Sequence, residues 1–406
     1  VSFGVIGEPE TLDPYSPVAS DLTYELLRPV LPTLFRVDPQ GRVIPDLAKT
    51  WRRSGAVVKV TLAKRTWSNG DPITAQDVKA SFDRAGGSGD IFGAATQARV
   101  VTPHVRVLGP RSLLLESAGL TKQSFASPLF VLPHGKFVPS ISGGPYKIAS
   151  HTPGLQVIYT RNRAWAGPAP FLKRVAVLFI EDLDTMTALL QRGKLDAAAP
   201  PSAVNLDDRL KADGLQQSSA LGWEFLALDF DGFDPLSRPA FESAISRSQL
   251  QQGLIRSDGR ITNALFPAPG PHGADGSWVV PPGATGASPK VQLGVGKGDE
   301  LTEQLQEVIQ LQLQHHGSDA ELVTGDARTF YGDWRTESPT DVSIVRIMGF
   351  PGALPAAEVR AFGATEAMPL FEVKSFVTWR DQAVQGLEVN PTIEGPLWDM
   401  QEWAKV

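Results

Sequence analysis

The sequence predicts an α/β protein built from more than one compact unit. Three observations carry that prediction. At 406 residues the chain exceeds what one hydrophobic core ordinarily organises. Strand-like runs such as Val57, Val58, Val60 and Leu62 alternate with segments whose apolar residues recur at helical spacing, as Leu301, Leu305, Val308, Ile309 and Leu313 do. Asp341 to Met348 is apolar on nearly both faces, the pattern of a strand covered on both sides. With 42% hydrophobic and 20% charged residues the chain is of the folded globular class, and 38 Gly with 33 Pro imply many ordered loops.

The elements follow in order. Val1 to Ile6 reads as a first strand, and Tyr24 to Leu31 as an early segment carrying Glu25. Val57 to Leu62 is a β-branched strand, and Ser68-Asn69-Gly70-Asp71 is turn chemistry, because Asn and Gly tolerate positive φ. Thr74 is the N-cap of the next helix, with Asp77 three residues on and Val78, Ser81 and Phe82 at helical spacing. Gly86 to Asp90 is a flexible loop. Val175 to Ile180 is a strand, and Asp182 to Gln191 a helix that Gly193 ends in the C′ position. Trp223 to Asp229 is a strand, Pro239 to Ile255 a helix, and Phe266 to Pro289 a long ordered loop. A strand Val291 to Val295 and a helix Leu301 to Gln314 precede the apolar strand at Asp341, and Pro391 to Val406 is expected as a final helix. Trp51, Trp67 and Trp165 are expected in the core, Trp398 and Trp403 in helix packing.

Several function classes fall away. A net charge of −6 without a basic stripe argues against a nucleic-acid partner. With no cysteine there is no disulfide framework, thiolate metal site or cysteine nucleophile. No run approaches the ~18 to 20 apolar residues of a membrane span. Gly294 to Asp299 has glycines and a lysine, but Gly298 stands where a phosphate loop needs Ser or Thr, so a turn capped by Asp299 is expected. His315-His316 has no third ligand nearby, and no histidine has the Ser and Asp companions of a hydrolase. No cofactor or metal is implied. One enzymatic alternative stays open: Asp229 and Asp231 lie two apart on a strand and so face one side, as paired carboxylates of a secreted oligosaccharide or peptide hydrolase would.

The order of parts between Leu47 and Arg84, an aromatic-anchored strand, a β-rich run, an Asn-Gly turn and a Pro-Ile-Thr-Ala helix opening, closely resembles the signature region of the family 5 solute-binding proteins. These are the extracytoplasmic receptors of peptide, nickel and opine ABC importers. Further matches stand in the family's order: Pro9 to Pro14, Val43 to Ala48, Gly143 to Ile148, Arg161-Asn162 with Trp165, and Gly193 to Asp196. Trp223 to Asp229 resembles the strand crossing into a second lobe, and Met368 to Phe371 the return. The resemblance implies a two-lobed periplasmic-binding-protein-like fold of type II, with the extra subdomain of the peptide-binding class and a ligand cleft between lobes. Residues 1–40, 143–219 and 372–406 would form lobe I, 41–142 its accessory subdomain, and 220–371 a shortened lobe II. It implies a monomeric, extracytoplasmic receptor that captures a small polar peptide-like or opine-like ligand by closure and delivers it to permease subunits. The abrupt start at Val1 is expected to follow a signal segment, with any membrane association through an N-terminal lipid anchor.

Seven residues are candidates for the ligand. Arg346 is a charge near the end of an apolar strand, where open α/β sheets hold ligands, and it needs an anionic partner, either a ligand group or a protein carboxylate. Met348 and Phe350 follow it toward the same pocket. Tyr15, Trp223 and Trp379, like Trp334, are large rigid side chains suited to a cleft wall or to the core. Glu25 could meet a cationic ligand group or lie on a solvated helix face. Peptide-binding members commonly carry an acid just beyond the Gly-aromatic pair, but here Gly349-Phe350 leads into Pro351 to Pro355 without a carboxylate.

Overall fold

A computed structural model describes residues 1–16, 19–87, 102–116, 129–204, 206–210, 214–230, 233–263, 290–325, 340–348 and 367–406. The expected loops at 86–90 and 266–289, and the segment 351–367 with Phe350 and Trp334, lie wholly or largely outside them. The chain opens with β1 (Ser2–Ile6), α1 (Asp21–Leu27), β2 (Phe35–Val37) and β3 (Val43–Pro45). The next part holds β4 (Ala48–Ser54), β5 (Val57–Leu62), α2 (Ala75–Gly87), β6 (His104–Gly109) and β7 (Ser112–Glu116). Then come β8 (Tyr146–Thr152), β9 (Gln156–Arg161), β10 (Arg174–Ile180), α3 (Leu183–Gln191), β11 (Ala197–Ala199) and α4 (Leu206–Leu210). The long β12 (Leu215–Asp229) leads to α5 (Arg238–Ala244), α6 (Arg247–Leu250), β13 (Gly259–Ile261), β14 (Val291–Gly296), α7 (Glu300–His315), β15 (Ala320–Gly325) and β16 (Val342–Met348). The equally long β17 (Ala367–Arg380) returns the chain to β18 (Val384–Gln385) and β19 (Ala404–Lys405).

One mixed sheet of eleven strands runs through the molecule in the order β15-β14-β16-β12-β17-β11-β1-β10-β9-β8, with β13 also on β17. A separate antiparallel sheet, β4-β5-β7-β6, makes the accessory unit. Two lobes result. Phe3, Val5, Tyr24, Phe130, Tyr146 and Trp403 belong to the core of the first. Leu226, Leu228, Phe241, Leu305, Ile309 and Ile344 belong to the core of the second. β12 and β17 pair across both, with register shifts between Leu221 and Glu224 and between Leu226 and Ala227. These bulges bend and twist the ribbon where it passes between the cores.

Local chemistry explains the elements that position the site. Thr74 N donates to Asp77 (2.8 Å) and Asp77 N to the Thr74 hydroxyl (3.4 Å), the reciprocal box that starts α2. Asp182 accepts from Thr185 N at 2.7 Å to cap α3, and Gly193 ends that helix at φ +67°. Asp299 accepts from Thr302 N at 3.3 Å, so the Gly294 to Asp299 stretch is the capped turn expected of it.

Three expectations are corrected. Pro239 to Ile255 is not one helix; it breaks at Ile245 into α5, α6 and a π turn over Gln251–Ile255. The final helix does not form. Pro391, Gly395 and Pro396 interrupt it, and only the 3₁₀ turn Met400–Glu402 and β19 are regular. Trp51 is 40% exposed on the outer strand β4, against the edge of Phe35 (5.0 Å), and is no core residue.

Candidate functional site

The carboxyl ends of the parallel strands determine where the site lies. β1 runs parallel to β10 and β11, and β14 parallel to β16. The segments that follow β11 and β14 bring Ser202 and Asp299 to Arg346, beside Glu224 of β12. Arg346, on β16, is the centre of this convergence. Its Nε and Nη2 hold Asp299 in a two-pronged grip at 2.9 and 3.0 Å, and Nη1 is bonded to Glu224. The remaining donors reach the Ser202 carbonyl (3.2 Å) and hydroxyl (3.3 Å). Ser375 of β17 donates to the other Glu224 oxygen at 3.0 Å, and Ser202 donates to the Lys374 carbonyl at 2.8 Å.

All five guanidinium N–H groups are therefore taken by protein atoms. Burial alone would lower the Arg346 pKa, but Asp299 and Glu224 together raise it above its ordinary value. Of the two partners left open for Arg346, the structure supplies protein carboxylates. Their role is to tie β16, both crossing strands, the segment after β11 and the start of α7 into one node. A buried charge without such partners would be costly.

Glu25 occupies a different environment. It is half-buried on α1, and among the described residues none forms a hydrogen bond or ion pair with its carboxylate. Burial pushes its pKa up to about 8, with Asp21 and Glu224 adding to the rise and Arg28 opposing it. Arg28 is itself held by Glu394 at 3.3 Å. Glu394 also accepts from Arg36 and from Val37 N at 3.1 Å each, which fixes the chain's last turns beneath α1. These turns place Gly395 against Glu25: a Cβ there would lie 2.4 Å from Glu25 Cγ, and the φ of +66° disfavours any side chain.

The other candidates separate. Tyr15 is buried, and its hydroxyl donates to the Phe130 carbonyl at 2.5 Å. Trp379 pairs with Ala197 and Gln216 and packs on the first core. Tyr15 lies within the first core, and Trp379, partly buried, at its edge. The backbones of Trp223 and Met348 lie at the level of Glu224, Met348 directly opposite it in register. Residues missed by sequence reading are Glu224, Ser202, Ser375 and Gly395. Glu224 had a legible signal: a carboxylate between two aromatics on one strand, matching the lone Arg346 on another.

A small cavity of about 180 Å³ lies beside the node, between the two lobes, lined by Ile6, Asp182, Pro201, Ser202, Gly298 and Glu303. Arg209 on α4 bridges its rim. It binds Asp184 at 2.5 Å, at the start of α3, and Glu300 at 2.7 Å, at the start of α7.

The description of bacterial extracellular solute-binding proteins, family 5, middle part, matches residues 42–357. The chain belongs to the family 5 solute-binding proteins. Among curated members it is similar to the probable D,D-dipeptide-binding periplasmic protein of Escherichia coli strain K12, 24% identical over 277 residues, covering 62% of this chain and 53% of the relative. It is likewise similar to the oligopeptide-binding protein of Mycobacterium tuberculosis, 24% identical over 289 residues, covering 63% of this chain and 49% of the relative. The match thus spans about half the length of these curated relatives. Solved structures of similar fold include an Agrobacterium periplasmic binding protein in complex with agropinic acid, with TM-score 0.80 and 17% identity over 100% of this chain and 98% of the other. Another is the Bacillus subtilis oligopeptide-binding protein in complex with a nonapeptide, with TM-score 0.77 and 14% identity over 100% and 98%. The two-lobed α/β expectation is met along the whole chain. For a family 5 member, the node at Arg346 sits where the crossing strands pass between lobes.

Proposed function

We propose that this protein is the extracytoplasmic receptor of an ABC importer. It captures a small peptide-like or opine-like solute carrying a cationic group, by lobe closure, and presents it to the membrane permease. Family membership supports the receptor role. The observation that supports a cationic ligand group is Glu25, a half-buried carboxylate with no bonded partner among the described residues and with Asp21 and Glu224 in its field. A ligand cation there would offset the desolvation and repulsion that raise the Glu25 pKa. The division into 1–40, 143–219 and 372–406, then 41–142, then 220–371 belongs to the same proposal. Closure follows because a ligand touching both lobes favours the arrangement in which both contacts exist.

The hydrolase alternative has less support. Asp229 is 4% exposed in the middle of the sheet, opposite Ser343 and Ala367, and Asp231 lies outside the described residues. One experiment addresses both readings. The protein is incubated with short peptides and amino-acid conjugates that are cationic, neutral or anionic, and thermal unfolding and product mass are both recorded. Stabilisation by cationic members without product supports the receptor. Turnover of any member would sink it, and stabilisation confined to neutral or anionic members would remove the role of Glu25.

A further inference from the structure

Between Glu116 and Glu181 the chain contains no Asp or Glu across 64 residues, yet carries seven Lys and Arg, in a protein whose net charge is −6. The expected absence of a basic stripe is corrected by where the fold puts five of them, Lys147, Arg161, Arg163, Lys173 and Arg174. Lys147 on the edge strand β8 lies opposite Thr160 of β9, which lies opposite Arg174 of β10, so Lys147 and Arg174 flank Thr160 on one face. Beside them a groove of about 900 Å³ is lined by Lys147, Arg161, Arg163, Lys173 and Trp165, with no carboxylate on its wall.

The loop on the rim of this groove has an uncharged apolar tip, Ala166-Gly167-Pro168-Ala169-Pro170-Phe171. All but Pro170 are exposed, and Phe171 is 64% exposed. Arg161 and Arg163 stand on one side of the tip and Lys173 and Arg174 on the other. The loop is braced. Arg161 Nε donates to the Leu172 carbonyl at 3.2 Å, and the Asn162 amide donates to the Gly144 carbonyl at 2.8 Å. Trp165 lies under the Arg65 guanidinium at 4.7 Å, and a Cβ on Gly167 would lie 2.6 Å from its indole nitrogen.

We propose that this face docks the receptor on the anionic surface of a lipid bilayer. Lys147, Arg163, Lys173 and Arg174 meet the headgroups, and the tip with Phe171 enters the interface. The apolar tip distinguishes a bilayer from a soluble polyanion, which would use the cations and leave an exposed phenyl ring idle. Each basic residue near an anionic leaflet adds to binding, and salt screens the attraction. This docking does not depend on what the cleft binds.

The test is co-sedimentation of the whole protein with vesicles of equal parts phosphatidylglycerol and phosphatidylcholine, and with vesicles of phosphatidylcholine alone. Binding is expected only to the first, and is expected to fall as salt rises. The triple variant Lys147→Ala, Arg163→Ala, Lys173→Ala should bind roughly a hundredfold more weakly. Phe171→Ser, at an exposed site, should weaken binding about tenfold. Unchanged thermal unfolding of both variants is the check that they fold. No binding to either vesicle, or equal binding to both, overturns the proposal. Loss in the triple variant with full binding by Phe171→Ser also overturns it, in favour of a groove for polyanions at large.

Discussion

Glu25 and Gly395 form a pair that only works together. The glycine leaves room for a carboxylate that burial and its acidic neighbours keep protonated up to about pH 8. The proposed cationic ligand would bind the ionised form, so its binding would expel a proton below that pH. Affinity should therefore rise with pH and level off above about 8, by up to about tenfold per pH unit on the steep limb. Calorimetry in two buffers of different ionisation enthalpy checks this as proton release. In Glu25→Gln the release and the pH slope should both vanish. Gly395→Ala should cost about 1 to 3 kcal/mol of stability through its positive φ and the clash with Glu25, measurable by denaturant unfolding.

Elements hold this site by joining charges across strands. On β16, Arg346 compensates Glu224 of β12 and Asp299 at the head of α7, so its loss leaves two buried or half-buried carboxylates without their cation. Arg346→Met should destabilise the ligand-free protein by roughly 3 to 5 kcal/mol. A thermal melt without ligand checks it; an unchanged melting temperature with lost ligand affinity would return Arg346 to ligand binding. The C-terminal segment makes a second element-scale case. Trp403 stacks on Phe3 at 5.1 Å and donates its indole N–H to Asp399 at 2.9 Å. Burial pushes the Asp399 carboxyl up to about 7, against the opposing pull of that hydrogen bond. A carboxyl with a raised folded pKa binds its proton more tightly folded than unfolded. Its stabilising contribution is complete below the unfolded value near 3.8 and is lost as pH rises through about 7. Melting temperature should fall over that window, and Asp399→Asn, which keeps an acceptor for Trp403, should flatten the fall.

At the scale of the whole molecule, Arg209 spans the two lobes outside the crossing strands. On the proposed division Asp184 and Glu300 belong to different lobes, so the bridge would favour the arrangement in which both are in reach. Arg209→Ala should raise the open population and increase the radius of gyration of the ligand-free protein in small-angle scattering. High salt should reproduce part of that change, since Asp184 is largely exposed. The same scale governs the charge segregation: an overall acidic chain carries one basic face, legible as the acid-free stretch from 117 to 180 once its strands are known to be neighbours.

The sequence by itself determined the family, several of the strands and the caps. Asn69-Gly70, Thr74 with Asp77, Asp182 with Gly193, and Asp299 each encode their structure within a few residues, where local hydrogen bonds and backbone sterics decide. It also marked Arg346 as a charge in need of a partner. Only the tertiary structure decided which partner. Glu224 is 122 residues from Arg346 and Ser202 is 144 away, and that choice depends on strand order and register, which no local pattern carries. For the same reason it set Glu25, whose carboxylate no described residue bonds, apart from the other six candidates, and it broke the two overlong helices. A half-buried charge is defined by what the rest of the chain brings to it.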